Sequence, residues 1–166
     1  MNNPPEKLIA SAPNGTVWFG GPVDRSKLSL RIFGESVDPT VITSILGHEP
    51  TKGRKKGDKW TMSGREFEAK KGSWILSAPE SRQADIDFQV DWIFGRLTED
   101  LSVWKKITAE YDVDLFSGLF LEASNRGICI SPNTMEKISS RGIKLGFRIY
   151  GYDPEEAEKG IKGQVY

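Results

Sequence analysis

The most regular alternation of apolar and polar residues in the chain lies between residues 111 and 151, where it predicts strands with one buried face. In the first segment the inward set is Tyr111, Val113, Leu115, Leu119 and Leu121. Asn and Gly in the turn at residues 124–127 then favour a hairpin, whose second strand would carry Ile128 and Ile130.

A short helix and a closing strand complete this segment. Ser131 can cap the helix, Pro132 suits the first helical position, and Gly142 stands where a C-terminal glycine would end it. In the closing strand the inward residues are Ile143, Leu145, Phe147 and Ile149. A sheet with one wet face is usually antiparallel and carries its helices on the other side.

The first half of the chain predicts a strand that leads into a helix, then further strands and a long helix. Residues 28–34 form the first strand, with Arg31 and Phe33 facing outward. Asp38 and Pro39 begin a helix that Gly47 ends. Strands follow at residues 60–62 and 73–77, and apolar residues at three- and four-residue steps predict one long helix over residues 85–110.

This order of elements predicts an α+β two-layer sandwich with a mostly antiparallel sheet and helices on one face, of the split βαβ or ferredoxin-like type. A chain of 166 residues suits one ordinary domain. We expect that domain to cover residues 28–151, with a partly flexible N-terminal arm at residues 1–27 and a charged C-terminal tail at residues 152–166.

Composition narrows the class of protein. Basic and acidic residues balance at 23 each, which gives no general affinity for polyanions. Cys129 is the only cysteine, which favours a reducing compartment. The N-terminus lacks the basic and apolar regions of a secretory signal, and no apolar run is long enough to cross a bilayer. We therefore expect a soluble, cytoplasmic protein that does not associate with membranes.

Several motifs in this order resemble a known family. They are LRIFGESVDPTVITSILGHEPTKGRKKGD, GSWILS, DWIFGRL and DLFSGLFLEASNRGICISPNTMEKISSRGIKLGFRIYG. Together they resemble the bacterial domain-of-unknown-function family numbered 4279 (DUF4279), over about residues 28–151. The resemblance supports the domain boundaries and implies no established activity, and it assigns no catalytic or binding residue.

The sequence offers little material for catalysis or metal binding. His48 and Cys129 are single residues of their types, so a cluster of imidazole or thiolate ligands cannot form. The carboxylates Asp112, Asp114 and Glu122 could bind a hard cation, but strand carboxylates on a wet face are more often solubilising. No nucleophile elbow and no phosphate-binding loop is present. We expect no metal and no cofactor, and enzymatic activity is the minority hypothesis.

The outward face of the predicted sheet is the first candidate binding surface, and its members are aromatic or basic. They are Arg31, Phe33, Phe116, Phe120, Arg148 and Tyr150. Such a set could stack the bases of a single-stranded nucleic acid. An outward apolar set also fits a dimer interface, a protein partner or coverage by the N-terminal arm, and we favour protein contact.

A basic loop between two predicted elements is the second candidate surface. Its members are Lys52, Arg54, Lys55, Lys56, Lys59 and Trp60. Glu49 and Asp58 could balance the charge of a solvated loop, which is the simpler interpretation. The functional interpretation is that the loop docks on an acidic patch of a partner.

These features favour a non-enzymatic cytoplasmic bacterial protein that binds another protein, most concretely to neutralise it as an immunity protein neutralises a toxin. Two alternatives stay open. One is a single-stranded nucleic-acid binder that uses the same sheet face, and the other is a small-ligand-binding domain with a pocket between sheet and arm. The sequence identifies neither the partner nor the oligomeric state.

Overall fold

The computed structural model describes residues 20–123 and 125–151, so the predicted tail and most of the predicted arm lie outside the described residues. In chain order the strands are β1 (Arg25–Gly34), β2 (Lys52–Arg54), β3 (Lys59–Met62), β4 (Arg65–Glu68), β5 (Gly72–Ser77), β6 (Ser81–Arg82), β7 (Asp112–Phe120) and β8 (Lys144–Tyr150). The helices are α1 (Pro39–Leu46), α2 (Ile86–Phe94), α3 (Leu101–Glu110) and α4 (Pro132–Ser139).

The main sheet is built around β1. In the order β2-β5-β1-β7-β8, β1 pairs antiparallel with both β5 and β7, and the short β6 pairs with the beginning of β1. The pairing of β7 with β8 is parallel, and β3 and β4 form a separate hairpin. The predicted mostly antiparallel α+β architecture is therefore confirmed.

Two βαβ units contribute four of the six strands of this sheet. Strands β1 and β2 run parallel because each is antiparallel to β5, which lies between them. The unit β1-α1-β2 is thus a split βαβ motif, as predicted. In the unit β7-α4-β8 the two strands are parallel and adjacent. A tight turn can join only antiparallel strands, so a parallel pair needs a longer crossover connection, which α4 provides here.

All four helices in the described residues pack on one side of the sheet. Leu28, Leu30 and Ile32 of β1 are fully buried there. The helices complete this core with Ile42 and Leu46 of α1, Ile86, Val90, Ile93 and Phe94 of α2, Trp104 and Ile107 of α3, and Ile138 of α4. None of the described helices is both long and apolar enough to span a membrane.

The helix ends follow the predicted capping chemistry. Asp38 caps α1 by accepting a hydrogen bond from the Thr40 N–H, and Gly47 ends that helix in the left-handed conformation with φ of 85°. Ser131 caps α4 in the same way, with Pro132 in the first turn. Gly142 lies three residues beyond the end of α4, where a turn holds it at φ of 67°.

The single long helix predicted over residues 85–110 is wrong, because two helices occupy that range. Gly95 caps α2, and Asp100 starts α3 by accepting a hydrogen bond from the Ser102 N–H. Thr98 in the link donates its N–H to the Leu46 carbonyl and accepts a bond from Trp104 Nε1. Both helices bury apolar residues against the same sheet, so the helical periodicity continued across the break.

The predicted hairpin strand at residues 128–130 is also wrong. Only Gly127 forms a bridge, parallel to Pro22, and the position beside β7 is taken by β8. Ile128 and Ile130 pack against the core from a link without regular secondary structure. The alternation of apolar residues at these positions thus reflects burial of the side chains and not pairing of a strand.

Two other strands differ from the prediction in their boundaries. Strand β1 begins at Arg25, three residues before the predicted start, and Val23 before it is already buried. The basic segment predicted as a loop contains β2, which joins Lys52–Arg54 to the edge of the sheet.

A junction between distant segments holds the beginning of β1. The carboxylate of Asp24 accepts hydrogen bonds from the Glu122 N–H at 2.8 Å and from Arg126 Nε at 2.8 Å. Burial alone would raise the pKa of Asp24, but the Arg126 guanidinium and the Glu122 N–H outweigh it and lower the pKa below its ordinary value.

We expect Asp24→Asn to lower the melting temperature by several degrees at neutral pH, because the ionised carboxylate is the favoured acceptor. A lowered native pKa contributes stability above the ordinary pKa of 3.8, and that stability is lost as the pH falls through the native value. Thermal unfolding of both proteins from neutral to acidic pH should therefore show the difference shrinking on acidification. A constant difference at every pH would contradict this assignment.

A buried polar contact links α2 to β1. Ser26 Oγ donates to Gln89 Oε1 at 2.8 Å, and Gln89 Nε2 donates to the carbonyls of Ser26 and Pro79. Ser26 and Gln89 are both fully buried. The amide thus satisfies the buried hydroxyl and carbonyl of Ser26.

We expect Gln89→Ala to lower the free energy of unfolding by about 2–4 kcal/mol, because it creates a cavity and leaves buried groups without partners. Chemical denaturation measures this loss. Glu136→Ala, at an exposed position of α4, is the control and should change stability by less than about 0.5 kcal/mol. Equal effects of the two substitutions would be inconsistent with the buried network.

Candidate interaction surface on the open face of the sheet

The side of the main sheet away from the helices, called the open face here, is formed by alternate residues of five strands. Its members follow from the strand register: Lys52 and Arg54 of β2, Ser73, Ile75 and Ser77 of β5, Arg25, Lys27, Ser29, Arg31 and Phe33 of β1, Asp112, Asp114, Phe116, Gly118 and Phe120 of β7, and Lys144, Gly146, Arg148 and Tyr150 of β8. All six predicted sheet-face residues lie on it.

One end of the open face is an aromatic row. Arg25, Phe120 and Tyr150 stand side by side on β1, β7 and β8. The rings of Phe120 and Tyr150 stack nearly parallel, with centroids 4.7 Å apart. The Arg25 guanidinium lies 4.0 Å from the Phe120 centroid, where the ring face attracts a cation. The Phe120 ring therefore already contacts both the Arg25 guanidinium and the Tyr150 ring.

A second group surrounds Arg31 near the other end. Its guanidinium makes a two-pronged contact with Asp114, with Nε at 2.7 Å and Nη2 at 2.6 Å from the two carboxylate oxygens. The same guanidinium lies 4.0 Å from the Phe116 centroid and 5.7 Å from that of Phe33. The planar Arg side chain thus binds a carboxylate at its edge while it covers a ring with its face.

Charge on the open face is strongly one-sided, although the whole chain is neutral. Arg82 of β6, opposite Arg25, joins the seven basic residues of the other strands, whereas the strands contribute only two carboxylates, Asp112 and Asp114. Glu80 adds a third by pairing with Arg25 and Lys27. The open face is therefore net positive.

Ion pairs hold both strand carboxylates. Lys144 Nζ donates a hydrogen bond to Asp112 Oδ1, and this bond lowers the pKa of Asp112 and raises the pKa of Lys144. Asp114 is bound by Arg31. Glu122, the third carboxylate of the hypothetical cation site, lies beyond the end of β7. Within residues 20–123 and 125–151, no group of three or more acidic, histidine or cysteine residues is placed to bind a metal ion.

The basic loop residues divide into two groups. Lys52 and Arg54 lie on the open face, and the Arg54 guanidinium lies 3.8 Å from the centroid of Trp60, which stacks on Phe67 of the hairpin. Lys55 pairs with Asp38, Lys56 with Glu35 and Lys59 with Glu68. Asp58, one of the two predicted balancing carboxylates, accepts a hydrogen bond from the Lys55 N–H at 2.7 Å. The pairs with Asp38 and Glu35 connect the segment to residues beyond the loop, whereas the Lys59–Glu68 pair lies within the β3-β4 hairpin.

Sequence reasoning missed Arg25, Lys27 and Arg82 as members of the open face. Extending the alternation of β1 back to Arg25 would have found the first two. The parity of the closing strand placed Lys144 outward, but its aspartate partner depends on the unexpected parallel pairing of β7 and β8.

A shallow cleft of about 300 Å³ lies on the helix side, between α3 and the turn after α4. Leu101, Lys105, Thr108 and residues 139–142 line it. Arg141 covers Phe94 there, with its guanidinium 4.4 Å from the ring centroid, and desolvation lowers the pKa of Arg141. Its Nη1 donates to the Lys137 carbonyl, so this arginine caps the end of α4.

A family model described as a domain of unknown function, DUF4279, matches residues 24–152 of the chain. The match includes β1 from its first residue and ends just after β8, so it covers the whole main sheet. The comparisons found no significant match among curated proteins and none among solved structures.

We expect the Arg31–Asp114 pair to have a coupling energy of about 1–2 kcal/mol in a double-mutant cycle of Arg31→Ala and Asp114→Ala, because the contact is two-pronged and largely shielded from water. Denaturant unfolding of the four proteins measures it. The single-pronged pair Lys144–Asp112, with side chains 65% and 67% exposed, is the control and should show little coupling. Equal coupling in both pairs would contradict a special role for Arg31.

Proposed function

We propose that this chain, which belongs to the DUF4279 family, acts by binding an acidic surface of another protein through the open face of its sheet. The observation that supports this most is the concentration of arginine, lysine and aromatic side chains on one side of the sheet, in a chain whose net charge is zero. Proteins recognise partners preferentially through arginine and large aromatic residues.

The architecture makes this face accessible within the described part of the chain. Helices cover the other side of the sheet, and no described helix packs on this one. A sheet face that is both apolar and charged can contact a partner over a wide area, because its side chains stand perpendicular to a rigid platform. The open face therefore presents apolar and charged side chains together on a rigid sheet.

Electrostatics define the chemistry of the partner. The net positive face would attract an acidic patch and disfavour a basic one, which gives specificity and fast association. Arg148 and Arg82 are exposed and have no ion-pair partner among the described residues, so they are available to carboxylates of the partner. The partner should thus present several Asp or Glu side chains around an apolar centre.

The most specific form of the proposal is a neutralising binder that acts in a bacterial cytoplasm, in the manner of an immunity protein. A compact domain that covers a functional surface of its target needs no chemistry of its own. It needs only a large and complementary contact area.

Single-stranded nucleic acid is the second candidate, and the positive charge beside Phe116, Phe120 and Trp60 favours it. Two observations weigh against it. Arginine side chains and a neighbouring ring already occupy positions against Phe116 and Phe120, and Asp112 and Asp114 would repel phosphates. We therefore place the protein partner first.

The test compares capture by the tagged wild-type protein and by two charge-reversal variants. Arg82→Glu with Arg148→Glu alters exposed positions of the open face, whereas Lys105→Glu with Lys106→Glu makes the same change on the exposed side of α3. After nuclease treatment, wild type and the α3 variant should recover the same protein, and the open-face variant should lose it. With that protein purified, the open-face variant should bind at least about tenfold more weakly.

Other outcomes reject the proposal. Equal affinity of all three proteins would remove the open face from the contact. Recovery of nucleic acid that is lost on nuclease treatment, with a steep decrease in affinity with salt, would favour the second candidate. Circular dichroism of each variant shows whether it remains folded.

A further inference from the structure

Strand β8 forms one edge of the main sheet, and its outer side pairs with no strand in residues 20–123 and 125–151. It is seven residues long and contains no proline. The opposite edge, β2, has only three residues, with two basic side chains around Gly53. Very short edge strands resist pairing with another chain, whereas a long regular edge invites it.

The backbone direction identifies the groups that are open for pairing. The Leu121 N–H donates to the Tyr150 carbonyl, so Tyr150 directs its backbone groups towards β7. Successive residues of a strand point their N–H and C=O groups to opposite sides. Leu145, Phe147 and Ile149 therefore direct theirs away from the sheet, towards the free edge.

The side chains of these residues are unusual for a free edge. They point to the helix side, yet Phe147 is 40% and Ile149 is 64% exposed, while Leu145 packs against the core. The helix layer thus ends before it covers the second half of β8. An exposed apolar pair beside unpaired backbone groups indicates an interface.

We infer that two copies of this chain associate through antiparallel pairing of β8 with β8, about a two-fold axis beside Phe147. In this register Phe147 faces Phe147 and Leu145 faces Ile149, so the apolar side chains meet on the helix side. About six backbone hydrogen bonds could form between the outward-directed residues.

Charge and the length of the paired segment together favour this register. On the open-face side it places Lys144 opposite Tyr150 and Arg148 opposite Gly146, so no charge meets a like charge. A two-fold axis beside Gly146 would place Lys144 opposite Arg148, and an axis beside Arg148 would place two arginines opposite each other. Like charges directly opposite each other destabilise a strand pair. The register centred on Phe147 also pairs the whole strand.

The pairing would change the open face. A two-fold axis perpendicular to the sheet keeps both open faces on the same side, so the two sheets become one continuous surface. Lys144 of the second copy would extend the row formed by Arg25, Phe120 and Tyr150. This inference does not rest on the proposed function, since purified protein tests it without any other partner.

Cross-linking tests the register directly. In a Cys129→Ser background, Phe147→Cys should form an intermolecular disulfide under mild oxidation, because hydrogen-bonded partners lie about 5.5 Å apart between Cα atoms. Ile149→Cys in the same background is the control. Its two copies would be separated by about four strand positions, more than about 13 Å, and should not cross-link.

Association is measured by sedimentation of the full chain from micromolar to millimolar concentration. Phe147→Lys would place two like charges opposite each other, so we expect the dissociation constant to rise at least about tenfold. Val41→Lys, at a position 50% exposed on α1, is the matched control and should leave association unchanged.

Monomeric wild-type protein over the whole range would overturn the inference, as would equal cross-linking of the two cysteine variants. Poor reactivity of the Phe147→Cys thiol in a monomer would show that another part of the same chain covers this edge, and the inference would be wrong. Thermal unfolding shows whether each variant is folded, and a dimer that Phe147→Lys leaves intact would exclude this edge as the interface.

Discussion

Strand β1 is the constraint on which the remaining structure depends. Its even-numbered residues form the centre of the core, and its odd-numbered residues form the centre of the open face. Because β5 and β7 both pair with it, its register fixes which of their side chains are buried. A shift of one residue in this strand would invert both faces at once. The helix layer and the polar surface are therefore determined together.

Part of the charge on the open face is held by contacts within the domain. Arg31 and Arg25 each contact a carboxylate and a ring. The result is a surface whose rings are partly covered and whose geometry is fixed by ion pairs before any partner arrives. Preorganisation of this kind reduces the ordering entropy that association costs.

The sequence predicts the outline of the fold because buried residues recur at the spacing of the strand or helix that carries them. Alternation placed Leu28, Leu30 and Ile32 inward and Phe116, Phe120 and Arg148 outward. The same signal failed where two elements share one buried side. Residues 95–100 interrupt a continuous helical pattern, and Ile128 and Ile130 alternate without a neighbouring strand. The contacts of Arg31 with Asp114 and of Lys144 with Asp112 depend on strand order, which local pattern does not encode.

The central position of β1 also determines the order in which the molecule can assemble. Arg31 contacts Asp114, 83 residues later in the chain. During synthesis β1 leaves the ribosome first but stays without its β7 partner until most of the domain has been made. Contacts between such distant residues slow folding, because the loop between them must close before they contribute. The central strand of the native sheet is thus the one whose apolar side chains stay without their β7 neighbours for longest during synthesis.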